Sequence, residues 1–170
     1  MRPARHAGRG PRQVLWQALI MDAPSRGAWS RAGISRDGGP LRETDTVVWL
    51  QSGRFYADSR GFAGTTSYEG GQVTFHHEVG VPGHDVGTLR REGAGLVETG
   101  TNLDGSTFLE VWIPLGDGAD EGGDAAGAAG GTRGDEGSWR VGGTQTVRVG
   151  AHVVHVDGAG VGAHFLLPPR

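Results

Sequence analysis

The chain has neither cysteine nor lysine among its 170 residues. Without cysteine there is no disulfide framework, thiolate metal site or cysteine nucleophile. Without lysine there is no Schiff-base chemistry and no lysine for a phosphate-binding loop, so the 33 glycines do not make one. All 16 basic residues are therefore arginine, a composition that suggests a GC-rich bacterial genome. A net charge of −3 offers no general footprint for nucleic acid. No apolar run approaches the ~20 residues of a membrane span. The stretch 14–21 is broken by Gln17, and no small-residue cleavage pattern follows it. A cytoplasmic protein with no membrane or nucleic-acid partner is expected, with a homodimer left open.

Charge is unevenly placed. Arg2, Arg5, Arg9 and Arg12 give residues 1–12 a charge of +4. Six acids against Arg133 give residues 116–137 a charge of −5. Residues 1–13 read as a disordered basic tail, and 116–137, rich in glycine, alanine and aspartate, as a disordered insertion. The rest of 14–170 reads as one domain.

Between these segments alternation of period two dominates. Residues 45–60, DTVVWLQSGRFYADSR, read as a hairpin with Ser52 and Gly53 at the centre of its turn. In that register Asp45 faces Arg60, Val47 faces Asp58, Trp49 faces Tyr56 and Gln51 faces Arg54. The opposite face carries Val48, Leu50, Phe55 and Ala57. Water-facing strands seldom use Trp and Tyr side by side, and a dry core seldom takes Asp and Arg. A ligand-lined barrel interior needs both. Residues 96–102 and 106–114 form a second hairpin around Asp104-Gly105. A two-residue loop sets Thr99 opposite Glu110, and a three-residue loop with Gly105 left-handed sets Glu98 opposite Glu110. Two opposed carboxylates repel unless one keeps its proton, so stability favours the first register. About ten short strands, with turn signals every 8–12 residues, predict an all-β fold. An antiparallel barrel of about 8–10 strands leaves no edge to protect and can hold one small ligand.

The strings WSR at 29–31, VWLQ at 48–51, YADSR at 56–60 and LEVW at 109–112 resemble short bacterial relatives of a fungal lipocalin-like family with two calycin-type barrels. The resemblance covers roughly residues 29–112. It implies a calycin-type barrel and carries over no catalytic residue.

The candidate site follows from alternation. Asp58, Arg60, Glu110 and Tyr56 are the expected catalytic groups. Arg60 would polarise a carbonyl, and Asp58 or Glu110 would move a proton. Trp29, Arg31, Trp49, Gln51, Phe108 and Trp112 are the expected ligand wall. The bland reading of the ionic groups is a set of structural pairs, Asp45 with Arg60 among them. His76, Glu78, His84 and Asp85 have some of the spacing of a strand-borne metal site, but His76 and His77 are adjacent where a cupin needs alternate positions. His152, His155 and His164 raise an axial haem ligand, which nothing else specifies. Neither metal nor cofactor is expected. Two functions remain: a cofactor-independent biosynthetic isomerase, cyclase or lyase acting on a largely apolar metabolite, or a lipocalin-like carrier using the same pocket.

Overall fold

The computed structural model describes residues 26–116 and 136–168. The basic tail, the stretch 14–21 and nearly all of the 116–137 insertion lie outside the described residues. Residues 136 and 137 of the insertion segment are strand, opening β9 below.

The two-faced hairpin sets the layout. Val48–Ser52 (β2) and Phe55–Asp58 (β3) pair with Ser52 opposite Phe55, so Gly53 and Arg54 make the turn. This is one residue later than expected, because Gly53, at φ 56°, takes the first central position, as a type II′ turn requires. Trp49 therefore faces Asp58, and Gln51 faces Tyr56. The slip moves partners without changing faces, so Trp49, Gln51, Tyr56 and Asp58 still point inward. Asp45 falls outside the strand and is exposed, and the expected Asp45–Arg60 pair does not form.

Around this hairpin eight antiparallel strands close a barrel in meander order. They are β1 (Gly27–Arg36), β2, β3, β4 (Phe62–Glu69), β5 (Gln72–Gly80), β6 (Gly83–Glu92), β7 (Gly95–Thr101) and β8 (Thr107–Pro114), with β1 paired to β8. Inside lie Trp29, Val47, Trp49, Tyr56, Val73, Phe75, Leu96 and Trp112. The calycin-type barrel is thus the architecture, and no helix occurs among the described residues.

The last four strands do not join it, contrary to the expectation of one barrel through residue 170. β9 (Glu136–Val141), β10 (Thr144–Val149), β11 (His152–Val156) and β12 (Gly162–Leu166) form a separate sheet in the order β12-β11-β10-β9. The physical reason is the outer face of the hairpin. Ala28, Val48, Leu50, Ala57, Ala63 and Val79 would leave an apolar patch in water, and Val147, Val154 and Val156 of the sheet cover it. A bulge between Ala63 and Gly64, opposite Val79 and His77, turns Val79 outward into this layer, where strict alternation put it beside Phe75. Gly61, at φ 107°, lets the β3–β4 turn meet the Gly160 carbonyl so closely that no side chain would fit.

Gln145 fastens the two layers. It is fully buried, and its Nε2 donates to the carbonyls of Tyr56 at 2.8 Å and Gly64 at 3.0 Å. Gln145→Leu would fill the space but remove both hydrogen bonds, each worth about 0.5–1.5 kcal/mol. Urea unfolding should show a loss of about 1–3 kcal/mol with an unchanged denaturant slope. A loss under about 0.5 kcal/mol would show that apolar packing alone holds the sheet.

Candidate functional site

Strand polarity puts the β1–β2, β3–β4, β5–β6 and β7–β8 connections at one end of the barrel. A cavity of about 140 Å³ opens there, with Arg36, Asp85 and Asn102 at its mouth. Its wall is aromatic and acidic: Trp49, Tyr56, Phe62, Phe75, Phe108 and Trp112, with Asp58, Arg60, Glu98 and Glu110. Edge-on contacts fix the rings. Trp49 lies 5.4 Å from Trp112 and 5.2 Å from Phe75, and Tyr56 lies 5.0 Å from Phe75.

The β7–β8 register decides the chemistry, and it is the one stability arguments disfavoured. Leu96 faces Trp112, Glu98 faces Glu110 and Gly100 faces Phe108. Residues 103–105 form the loop, with Gly105 at φ 84° and Asp104 accepting the Ser106 N–H at 2.9 Å. This register keeps Leu96 and Trp112 inside together, and a one-residue slip would expel one of those faces. The repulsion is relieved in two ways. Burial, and next the charge of Glu110, push the Glu98 carboxyl up to about 8, against the pull of Arg60 and the Trp112 indole. Glu98 therefore keeps its proton at neutral pH. Glu110 is held by cations: its Oε1 accepts from Arg31 Nη1 at 2.8 Å and Arg60 Nη1 at 3.3 Å.

Each cation has its own anchor. A bulge between Arg31 and Gly33, opposite Trp112 and Val111, lets Arg31 point inward while Ile34 and Arg36 also reach the cavity. Arg31 donates to Glu43 through Nε at 2.7 Å and Nη2 at 3.1 Å. Arg60 grips Asp58 with Nε to Oδ1 at 3.0 Å and Nη2 to Oδ2 at 2.8 Å, while its backbone N–H also reaches Oδ1. The result is an ordered chain, Glu43–Arg31–Glu110–Arg60–Asp58, running from a surface loop to the cavity wall. Arg60, its side chain 36 % exposed, also lies 5.1 Å over the Phe62 ring.

The expected site is thus largely brought together. Asp58, Arg60, Glu110, Tyr56, Trp49, Phe108 and Trp112 line one cavity. Three expected wall residues do not. Arg31 stands behind Glu110 as its counter-ion. Trp29 packs 6.3 Å from Trp49 at the far end. Gln51 is fully buried and bonded to Trp49 Nε1, Thr66 and the Gly53 carbonyl. Asp58, with both oxygens on Arg60, positions that guanidinium. Tyr56 is held neutral by burial and by the charges of Asp58 and Asp85, so its hydroxyl keeps a proton to donate.

Glu98, Phe62, Phe75 and Asp85 complete the wall. Phe75 shares a face with Val73 by alternation along β5, whereas the place of Glu98 depends on the β7–β8 loop length. Gly87 makes room for it, since a methyl there would strike the Glu98 carboxyl. At the rim His77 stacks on Phe62 at 4.3 Å and meets Asp85 Oδ2 at 3.1 Å, lowering the Asp85 carboxyl through that hydrogen bond. Among the described residues no group of three or more His, Cys, Asp or Glu is placed to hold a metal ion.

Protonation of Glu98 has a sign that can be measured. Its folded value of about 8 lies above the ordinary 4.5, so the native state binds more protons across that window. Its contribution is most favourable below 4.5, falls as pH rises, and is fully lost above about 8. Glu98→Gln imitates the protonated acid at every pH. Urea unfolding should therefore show the wild type losing stability relative to Glu98→Gln between about pH 5.5 and about pH 8.5. Parallel pH profiles would show that Glu98 ionises normally.

No protein-family model, curated protein or solved structure matches this chain, so the chemistry of the cavity rests on its own residues.

Proposed function

We propose that the barrel is a cofactor-independent acid–base enzyme of small-molecule metabolism, of the isomerase, cyclase or lyase type. The observation that carries this reading is the directly opposed pair Glu98 and Glu110 on the cavity wall. One carboxyl keeps a proton at neutral pH, and the other is an anion fixed by two guanidiniums. A protonated carboxyl opposite a carboxylate bound by two guanidiniums supplies an acid and a base within one site. Glu98 would give a proton, and Glu110 would take one through Oε2, the oxygen that neither arginine occupies. Arg60 would face developing negative charge, steadied by Asp58. This assigns the acid role to Glu98 and leaves Asp58 a positioning residue.

The carrier reading has its own support. The ion chain is satisfied internally, with both Asp58 oxygens on Arg60, so its charges can serve architecture and recognition alone.

One experiment separates the two. A metabolite extract incubated with the protein should lose one component and gain an isomer or a dehydrated product, followed by mass spectrometry. Glu98→Gln should slow that conversion by roughly 10²–10⁴-fold with ligand affinity little changed. A compound that co-purifies and leaves chemically unaltered, from wild type and variant alike, would establish the carrier.

A further inference from the structure

Two polar atoms of the cavity wall remain after the ion chain is accounted for. Tyr56 is fully buried and Trp112 is 1 % exposed, yet the phenol oxygen and the indole Nε1 have no hydrogen-bond partner. The indole N–H acts on the Glu98 carboxyl, lowering it through a hydrogen-bonding interaction, but does not reach the geometry of a full hydrogen bond. A buried donor left unmade costs about 1–3 kcal/mol. Phenylalanine would serve the ring packing at Tyr56 without that cost, so aromatic packing does not explain the hydroxyl. Both residues line the same cavity.

Size and charge narrow what could meet them. A volume of about 140 Å³ is close to the ~150 Å³ of an engineered cavity that admits benzene, so the space fits one six-membered ring. The Arg60 guanidinium is already taken by Asp58 and Glu110, and at the mouth the charges of Arg36 and Asp85 oppose one another. An anion seated below the mouth would meet Asp58 and Glu110 with Arg60 already committed to both, and its desolvation would go unmatched. A cation would find carboxylates but would leave the two donors unmet. A neutral acceptor avoids both costs.

We infer that this cavity takes a neutral, single-ring ligand through a carbonyl or equivalent acceptor oxygen, hydrogen-bonded by Tyr56 Oη–H and Trp112 Nε1–H. The inference rests on the reading of this cavity as the ligand site and names the chemical class that fits it. Glu98, on the wall of the same cavity, is a further donor when protonated. Donors aimed at a carbonyl also suit the acid–base chemistry proposed above, because they favour negative charge growing on that oxygen.

The test uses the whole chain, labelled with nitrogen-15, and four probes of similar size: 2-cyclohexenone, toluene, benzoate and benzylammonium. Binding is read from the indole resonances and by calorimetry. Cyclohexenone should bind most tightly and move the Trp112 indole proton downfield, while toluene should cause no such downfield shift. Tyr56→Phe should weaken the ketone about three- to tenfold and leave toluene unchanged. Should that variant fail to fold, the indole shift in the wild type decides alone. If toluene, benzoate or benzylammonium matches the ketone, the acceptor inference is overturned while the cavity stands as a ligand site. If no probe binds, both fall, and solvent alone meets the two donors.

Discussion

A carboxylate cannot be carried into a small barrel unless cations come with it, and Glu110 is the carboxylate around which this interior is arranged. Arg31 and Arg60 both reach its Oε1. Arg31 can do so because it alternates with the interior Trp29 ahead of the β1 bulge, and because the β1–β2 connection returns Glu43 to it. Arg60 can do so because Asp58, two residues earlier, bends the guanidinium back from the turn. The charge of Glu110 in turn helps keep the proton on Glu98. Removing either arginine would therefore alter the charge state of the wall as well as its shape.

The same hairpin serves two layers. Its inner face presents Trp49, Tyr56 and Asp58 to the cavity, and its outer face presents Val48, Leu50 and Ala57 to the second sheet. Gln145 ties that sheet to the backbone of Tyr56, the strand residue that carries one of the unpartnered donors. The outer sheet thus steadies the wall from behind. A site built on strands, with a second layer locking its backbone, is held more rigidly than one carried on loops.

Much of this was legible in the sequence because a period of two is a strong local signal. Trp49, Tyr56, Asp58, Glu110 and Trp112 were all placed inward by alternation alone, and the barrel followed from strand number and turn spacing. Three kinds of information were not local. Bulges shift faces without marking the sequence, which is why Arg31 and Arg36 share an interior and Val79 leaves it. Turn chemistry moved the first hairpin by one residue and gave the second its three-residue loop. The Glu98–Glu110 opposition looked unfavourable as an isolated pair, because the arginines that stabilise it come from β1 and the β3–β4 turn. The outer apolar face was visible, but nothing local said that the last four strands would cover it.

The central claim is that Glu98 holds a proton at neutral pH beside the Glu110 anion. Glutamate labelled with carbon-13 at the side-chain carboxyl reports this directly, followed from about pH 5 to about pH 10. One carboxyl resonance, missing in Glu98→Gln, should sit at the protonated-acid position at pH 7 and titrate near 8. A spectrum in which every glutamate is already ionised by about pH 6 would contradict the account.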